Sequence, residues 1–180
     1  MNDISFRELL RICKNIRIPE IQRDYAQGRS NEKAREIRES FISSLVPVFS
    51  GIQDSIHLDF IYGYQKDEAF EPLDGQQRLT TLFIIHWLFC PSECNDLKSE
   101  DSKKSHTVSR FRYATRISSG DFCDALVDQS AKELIDIWKS NKSNNQSFSS
   151  FMRDLEWFEW IWRYDPTVEA MLNIARHIAI

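Results

Sequence analysis

Asp74-Gly75-Gln76-Gln77-Arg78-Leu79-Thr80-Thr81 opens the longest apolar run of the chain, which continues Leu82-Phe83-Ile84-Ile85-His86-Trp87-Leu88. The pattern predicts a helix that begins at the aspartate. Asp74 is a good N-cap, because a carboxylate accepts from the free N–H groups of a first turn. Gln77 stands three positions on, where a capping-box side chain reaches back to the cap's own N–H. Gly75 has no Cβ, so a ligand or another backbone can approach. The uncapped amides and the helix dipole suit phosphate, and Arg78 adds a forked cation matched to phosphate oxygens. The plainer alternative is a well-capped buried helix with Arg78 in a structural ion pair. The local residues leave both readings open.

Working outward, Phe70 to Leu73 reads as a strand returning into this helix, and Lys66-Asp67-Glu68 as the turn before it. Ile56 to Tyr64 alternates like a half-buried strand, with Ile56, Leu58, Phe60 and Tyr62 on one face. Ile16 to Ile18 reads as a short strand ahead of Pro19. Phe6, Leu9, Leu10 and Cys13 share one side of an early helix. Asn31 to Phe49 is a second helix, striped by Ala34, Ile37, Phe41, Leu45 and Val48, and bent or ended by Pro47. Asp96 to Ser105 is charged and serine-rich and reads as a surface loop. Ser118 to Val127 starts another helix, and Ser140 to Ser147 reads as a polar linker. Phe148 to Tyr164 reads as one aromatic helix, apolar on more than one side. Such a helix packs wholly in the core or offers a face to another region or protomer. The expected fold class is α+β: a small mixed β-sheet with surrounding helices and a helical C-terminal extension. The expected division is 1–120 for the motif domain and 121–180 for the extension.

Two of these elements together resemble a known family. DGQQRLTTL is similar to the signature of the ParB-like N-terminal domain of GmrSD-type restriction proteins, which are NTP-dependent, modification-sensing phage-defence enzymes. Ile18-Pro19-Glu20-Ile21-Gln22-Arg23-Asp24-Tyr25 resembles the family's upstream element. Phe60-Ile61-Tyr62-Gly63, Phe111 to Arg116, Asp165-Pro166-Thr167 and Met171-Leu172 resemble weaker landmarks. The likeness therefore runs from about Ile18 to Met171. It implies a ParB/sulfiredoxin-like core and an NTP-binding, NTP-hydrolysing regulatory role. It also implies a downstream nuclease domain or subunit that acts on DNA in the full-length protein. The chain reads as the N-terminal piece of such a protein, and nuclease activity is not expected of these residues.

The resemblance and the residue types suggest roles. Arg23 and Arg78 would clamp phosphate oxygens. Gln22, Gln76 and Gln77 would orient the nucleotide or an attacking water, and the Gly75 backbone would cradle a phosphate. Asp74 would either hold Mg²⁺ or cap the helix. Thr80 is a candidate hydroxyl donor, although Thr80 and Thr81 suit early-helix packing better. Tyr25 would stack on a base or fill the pocket wall, and Arg116 would reach the nucleotide. The base is not specified. In a strand, Arg110 and Arg112 would face away from Phe111 and Tyr113, either toward a DNA backbone or into solvent.

Composition narrows the classes. The chain has 180 residues, 42% of them hydrophobic, with five tryptophans; that is enough for one substantial core. A net charge of −4 argues against general nucleic-acid coating but allows a local basic groove. No Walker A pattern occurs, so any NTPase here is not a P-loop enzyme. The start is unlike a signal peptide and no apolar run is long enough to cross a bilayer, so the expectation is a cytoplasmic protein without membrane contact, with a homodimer in view. His86, Cys90 and Cys94 fall at four-residue intervals, but Pro91 interrupts them and no fourth zinc ligand is evident. Reduced thiols are the better reading of the four cysteines.

Overall fold

The computed structural model describes residues 4–20, 32–58, 60–89, 95–101, 106–141 and 146–179. Among them, helices and a small mixed sheet make an α+β fold. Helix α1 (Phe6–Ile12) is started by a capping box, in which Ser5 and Glu8 satisfy each other's backbone N–H groups. Strand β1 (Asn15–Ile18) follows, then α2 (Glu32–Phe49), with Pro47 carried inside its last turn. Strands β2 (Gly63–Lys66) and β3 (Ala69–Pro72) form a hairpin, and α3 (Gln76–Phe89) leaves its end. The hairpin turns on Asp67 and Glu68, both at positive φ, the backbone that a tight two-residue connection requires. Strands β4 (Lys98–Asp101) and β5 (His106–Ser109) form a separate ribbon, followed by β6 (Phe111–Tyr113). Helices α4 (Ile117–Val127), α5 (Ala131–Ser140), α6 (Phe148–Arg153) and α7 (Pro166–Ile178) complete the chain.

The main sheet has the order β2-β3-β1-β6. β1 is parallel to both β3 and β6, while β2 is antiparallel to β3. Ile16, Ile18, Phe111 and Tyr113 alternate onto one face and are buried there. Helix α3 covers that face; Phe83 stacks on Phe111 with ring centres 4.7 Å apart. The same contiguous core takes in Leu10 of α1, Phe122 of α4 and Met171 and Ile174 of α7. Residues on both sides of position 120 therefore share one apolar interior.

Three sequence expectations need correction. The strand expected over Ile56–Tyr64 is instead β2, Gly63–Lys66; Phe60 and Tyr62 are 74% and 58% exposed. Past Gly63–Pro72 the Leu73 and Asp74 N–H groups both donate to Tyr62 O, at 2.9 and 3.2 Å, as the chain turns toward α3, so among the described residues the alternating segment before Tyr62 has no partner strand. The loop expected over Asp96–Ser105 contains β4, which pairs with β5. A two-stranded ribbon needs few apolar residues, and the buried Leu97 and Val108 supply them. The single helix expected over Phe148–Tyr164 breaks after Arg153 and resumes as a 3₁₀ turn, Trp160–Tyr164. A helix apolar on more than one side needs cover on each of them. The bend lets Trp157, Phe158 and Trp162 all pack on Phe122, while Trp160, Ile161 and Tyr164 stay exposed.

Candidate functional site

Parallel strands β3, β1 and β6 all end on the same edge of the sheet, so the loops that follow them gather there. In open sheets with parallel strands, that edge is where ligands bind. After β3 come Leu73-Asp74-Gly75 and the start of α3. After β6 come Ala114-Thr115-Arg116 and the start of α4, and Ala114 N–H donates to Ile18 O at 2.9 Å. After β1 come Pro19 and Glu20. Gln22, Arg23 and Tyr25 lie outside the described residues.

Helix α3 begins one residue later than the sequence suggests. Leu79 N–H donates to Gly75 O at 3.0 Å, which puts Gly75 at the cap position and Asp74 before it. Gly75 has φ +86°, and a Cβ built there would stand 2.7 Å from the Ile61 side chain. The glycine is therefore required by a left-handed backbone and by the close approach of Ile61. The Asp74 carboxylate is swung outward, 64% exposed, with an Oδ2 to Arg78 Nη2 distance of 3.8 Å.

Behind this outward carboxylate the first turn is buried. Gln76 is 7% exposed, and its Oε1 has no hydrogen-bond partner among the described residues. Leaving such an oxygen unsatisfied is costly. Gln77 is half-buried, and its carbonyl accepts from Thr81 Oγ1 at 3.0 Å. Arg78 Nη2 donates to the Phe60 carbonyl at 2.7 Å, tying the segment before β2 to the helix. Thr80 is fully buried, donates to Gln76 O at 2.9 Å and meets the Tyr113 hydroxyl at 2.6 Å. Thr80 has one proton and gives it to that carbonyl, so Tyr113 is the donor in the second contact. A chain of hydroxyls thus fixes the first turn of α3 to the end of β6.

The remaining arginines separate. Arg116 is exposed at the cap position of α4 and makes no side-chain cap bond. Arg110 precedes β6 and turns back to α1, where Nη1 donates to Leu10 O at 3.3 Å. Arg112, inside β6, pairs with Asp124 of α4 at 2.8 Å. Arg110 and Arg112 therefore engage different elements.

A polar row that the sequence reading missed crosses the other face of the sheet. Tyr64 is in register with Glu71, and Arg17 with Arg112. Arg17 Nε donates to Glu71 Oε1 at 2.8 Å, Arg17 Nη2 reaches the same oxygen, and the Tyr64 hydroxyl donates to Oε2 at 2.5 Å. The hydrogen bond from Tyr64, then that from Arg17, hold the Glu71 carboxyl below the usual carboxylate range; the same contact raises the Tyr64 phenol. One acidic residue inside a four-residue strand, AFEP, was the only sequence signal for this row.

Helix α3 stops at Phe89, ahead of Pro91. Cys90 and Cys94 lie outside the described residues, and burial lowers the His86 pKa. Among the described residues no group of three or more His, Cys, Asp or Glu side chains could hold a metal ion. Cys13 and Cys123 are buried free thiols. No described helix is long and apolar enough to cross a membrane.

The fold and this edge define a small α+β domain with a polar helix mouth at the carboxyl ends of its parallel strands. A family model, the N-terminal domain of GmrSD restriction endonuclease, matches residues 6–174. The chain belongs to that family and is a module of a restriction or defence protein. No curated protein and no solved structure matches it.

Proposed function

We propose that the domain binds a nucleoside triphosphate at the mouth of α3, hydrolyses it, and thereby controls DNA cleavage by a nuclease region in the full-length protein. The observation that carries this reading is Gln76. It is a buried amide with an orphaned oxygen in the first turn of a 14-residue helix, where the helix dipole favours an anion. The orphaned oxygen suits a ligand donor such as a base amine or a water held by phosphate. Gln77 and Arg78 stand on the same turn, and Arg78 contributes a cation to neutralise phosphate charge. Arg116 enters from the α4 loop on the same edge; Gln22, Arg23 and Tyr25, which lie outside the described residues, complete the expected binding set. Asp74 fits a Mg²⁺ ligand, because Mg²⁺ is commonly held by one or two carboxylates together with substrate phosphates. When bound, the ion would neutralise charge on those phosphates.

One observation favours a plainer role. Arg78 already serves Phe60, so the motif also staples the fold. A thermal-shift titration with ATP, GTP, CTP and UTP, with and without Mg²⁺, separates the two. Saturation at 100 times Kd stabilises the native state by about 2.7 kcal/mol. The expected result is a nucleotide-dependent rise in Tm that Gln76→Ala loses while remaining folded. No rise with any nucleotide would leave the motif a structural one.

A further inference from the structure

We propose that Arg17 and Arg112 form a second site, on the face of the sheet turned away from α3, which takes the oxyanion of a phosphate group. The two arginines are register neighbours on adjacent parallel strands. By the alternation of β1 and β6 they face away from Ile16, Ile18, Phe111 and Tyr113, which are buried under α3. Two cations side by side repel, and each is held in place by its own carboxylate. Arg17 leans on Glu71 and Arg112 on Asp124.

Burial within each pair is unequal, and this inequality is the core of the inference. The Arg17 side chain is 40% exposed and its Glu71 partner 7%; the Arg112 side chain is 33% exposed and its Asp124 partner 12%. A ligand arriving at this face meets guanidinium groups, with the carboxylates behind them. Glu71 occupies the Nε and Nη2 edge of Arg17, and Asp124 occupies Nη2 of Arg112. A guanidinium has five N–H donors, so donors remain on both for a planar or tetrahedral oxyanion. Each carboxylate is itself fixed: Glu71 by Tyr64, Asp124 by the Ser109 N–H at 2.8 Å. The forks are thereby pre-oriented, which lowers the ordering cost of binding. Lys66, two residues along β2 from Tyr64 and near enough to lower the Glu71 pKa, adds a third cation beside the row.

Two double variants test the site: Arg17→Gln with Glu71→Gln, and Arg112→Gln with Asp124→Asn. Each removes both charges of a pair, so no buried carboxylate is stranded. Two probes distinguish the phosphate source: inorganic pyrophosphate by calorimetry, and a fluorescent duplex DNA by anisotropy at graded salt. The expected result is a loss of affinity of about tenfold per variant, and for DNA a salt slope smaller by about one per arginine. Loss for both probes assigns a general phosphate site. Loss for DNA alone assigns phosphodiester, and loss for pyrophosphate alone assigns a free phosphate group. Folded variants that bind both probes as the native chain does would overturn the proposal, as would a native chain that binds neither. Should a double variant unfold, the Arg17 and Arg112 ¹⁵Nε resonances of the native chain give the answer, and no change on adding either probe overturns it. Binding of the probes that persists in both double variants but is lost in Gln76→Ala would place the phosphate at α3 and overturn this proposal, so failure here is separable from failure at α3.

Discussion

Two helices of this domain follow an aspartate, and the two carboxylates are used in opposite ways. Asp165 caps α7. It is almost fully buried, its Oδ1 accepting from Thr167 N–H at 2.8 Å and Val168 N–H at 3.4 Å. Its Oδ2 accepts from Ser118 and Ser119 hydroxyls at 2.6 and 2.7 Å, so it also joins the start of α4 to the start of α7. Asp74 precedes α3 and faces solvent. The difference arises one residue on. Pro166 has the φ of a first helical residue, so Asp165 sits at the cap; Gly75, at positive φ, takes the cap position itself and displaces Asp74. A helix start filled by its own carboxylate is a joint. A helix start whose carboxylate is turned away is left uncapped by it.

The comparison breaks most readily at Asp165. Asp165→Ala strands two helix amides and two serine hydroxyls and should cost about 3 kcal/mol, a fall in Tm of roughly 6–12 °C for a domain of this size. A loss under ~1 kcal/mol in chemical denaturation would show that this cap is not a joint. Next is Gly75→Ala, which meets both the positive φ and Ile61 and should cost about 1–3 kcal/mol. Adding Ile61→Ala should recover only the steric part; full recovery would mean that the backbone angle carries no penalty. Tyr113→Phe removes one hydroxyl from the Thr80 chain and should cost about 1 kcal/mol, measurable by urea denaturation.

A smaller effect concerns acid. Burial lowers the folded-state pKa of His86 below 6.5, so the unfolded chain binds the proton more readily. Stability is then full above about pH 6.5, falls as pH drops below it, and levels off beneath the folded value. His86→Gln should flatten that part of a stability–pH profile, and an unchanged slope would remove His86 as its cause. The smallest stability change is expected for Asp74→Ala, within about 0.5 kcal/mol. Its sharper effect should fall on nucleotide binding, where the added stabilisation by Mg²⁺ disappears. If Asp74→Ala destabilised the protein as much as Asp165→Ala, the contrast between the two helix starts would be lost.

The elements readable from sequence were those with local causes. The helix after Gly75, the strands around Ile16–Ile18 and Phe70–Pro72, and the helix ending at Val127 follow from short-range pattern, and the mixed α+β architecture follows from them. The exceptions have non-local causes. How much of Ile56–Tyr64 pairs depends on where the neighbouring strand turns away into α3. Whether Phe148–Tyr164 stays straight depends on Phe122. Within the candidate site, the run from Asp74 to Thr80 was legible because its residues are contiguous. The row Tyr64–Glu71–Arg17–Arg112 was not, because it exists only through the register of four strands. Arg112 looked like the companion of Arg110 in sequence; across the sheet its neighbour is Arg17.

The position of β1 has a consequence for biosynthesis. It is the earliest strand of the main sheet, yet both of its neighbours are made later. Glu71, which takes the Arg17 side chain, lies 54 residues downstream, and the other edge waits for Phe111. Until the ribosome has released that far, the backbone groups of β1 and the apolar Ile16 and Ile18 have no native partner. Pairings so distant in sequence form slowly, and a growing chain with an unpaired strand is prone to association. The domain cannot close its sheet from the N-terminus onward, so its folding is gated by the emergence of residues past 113.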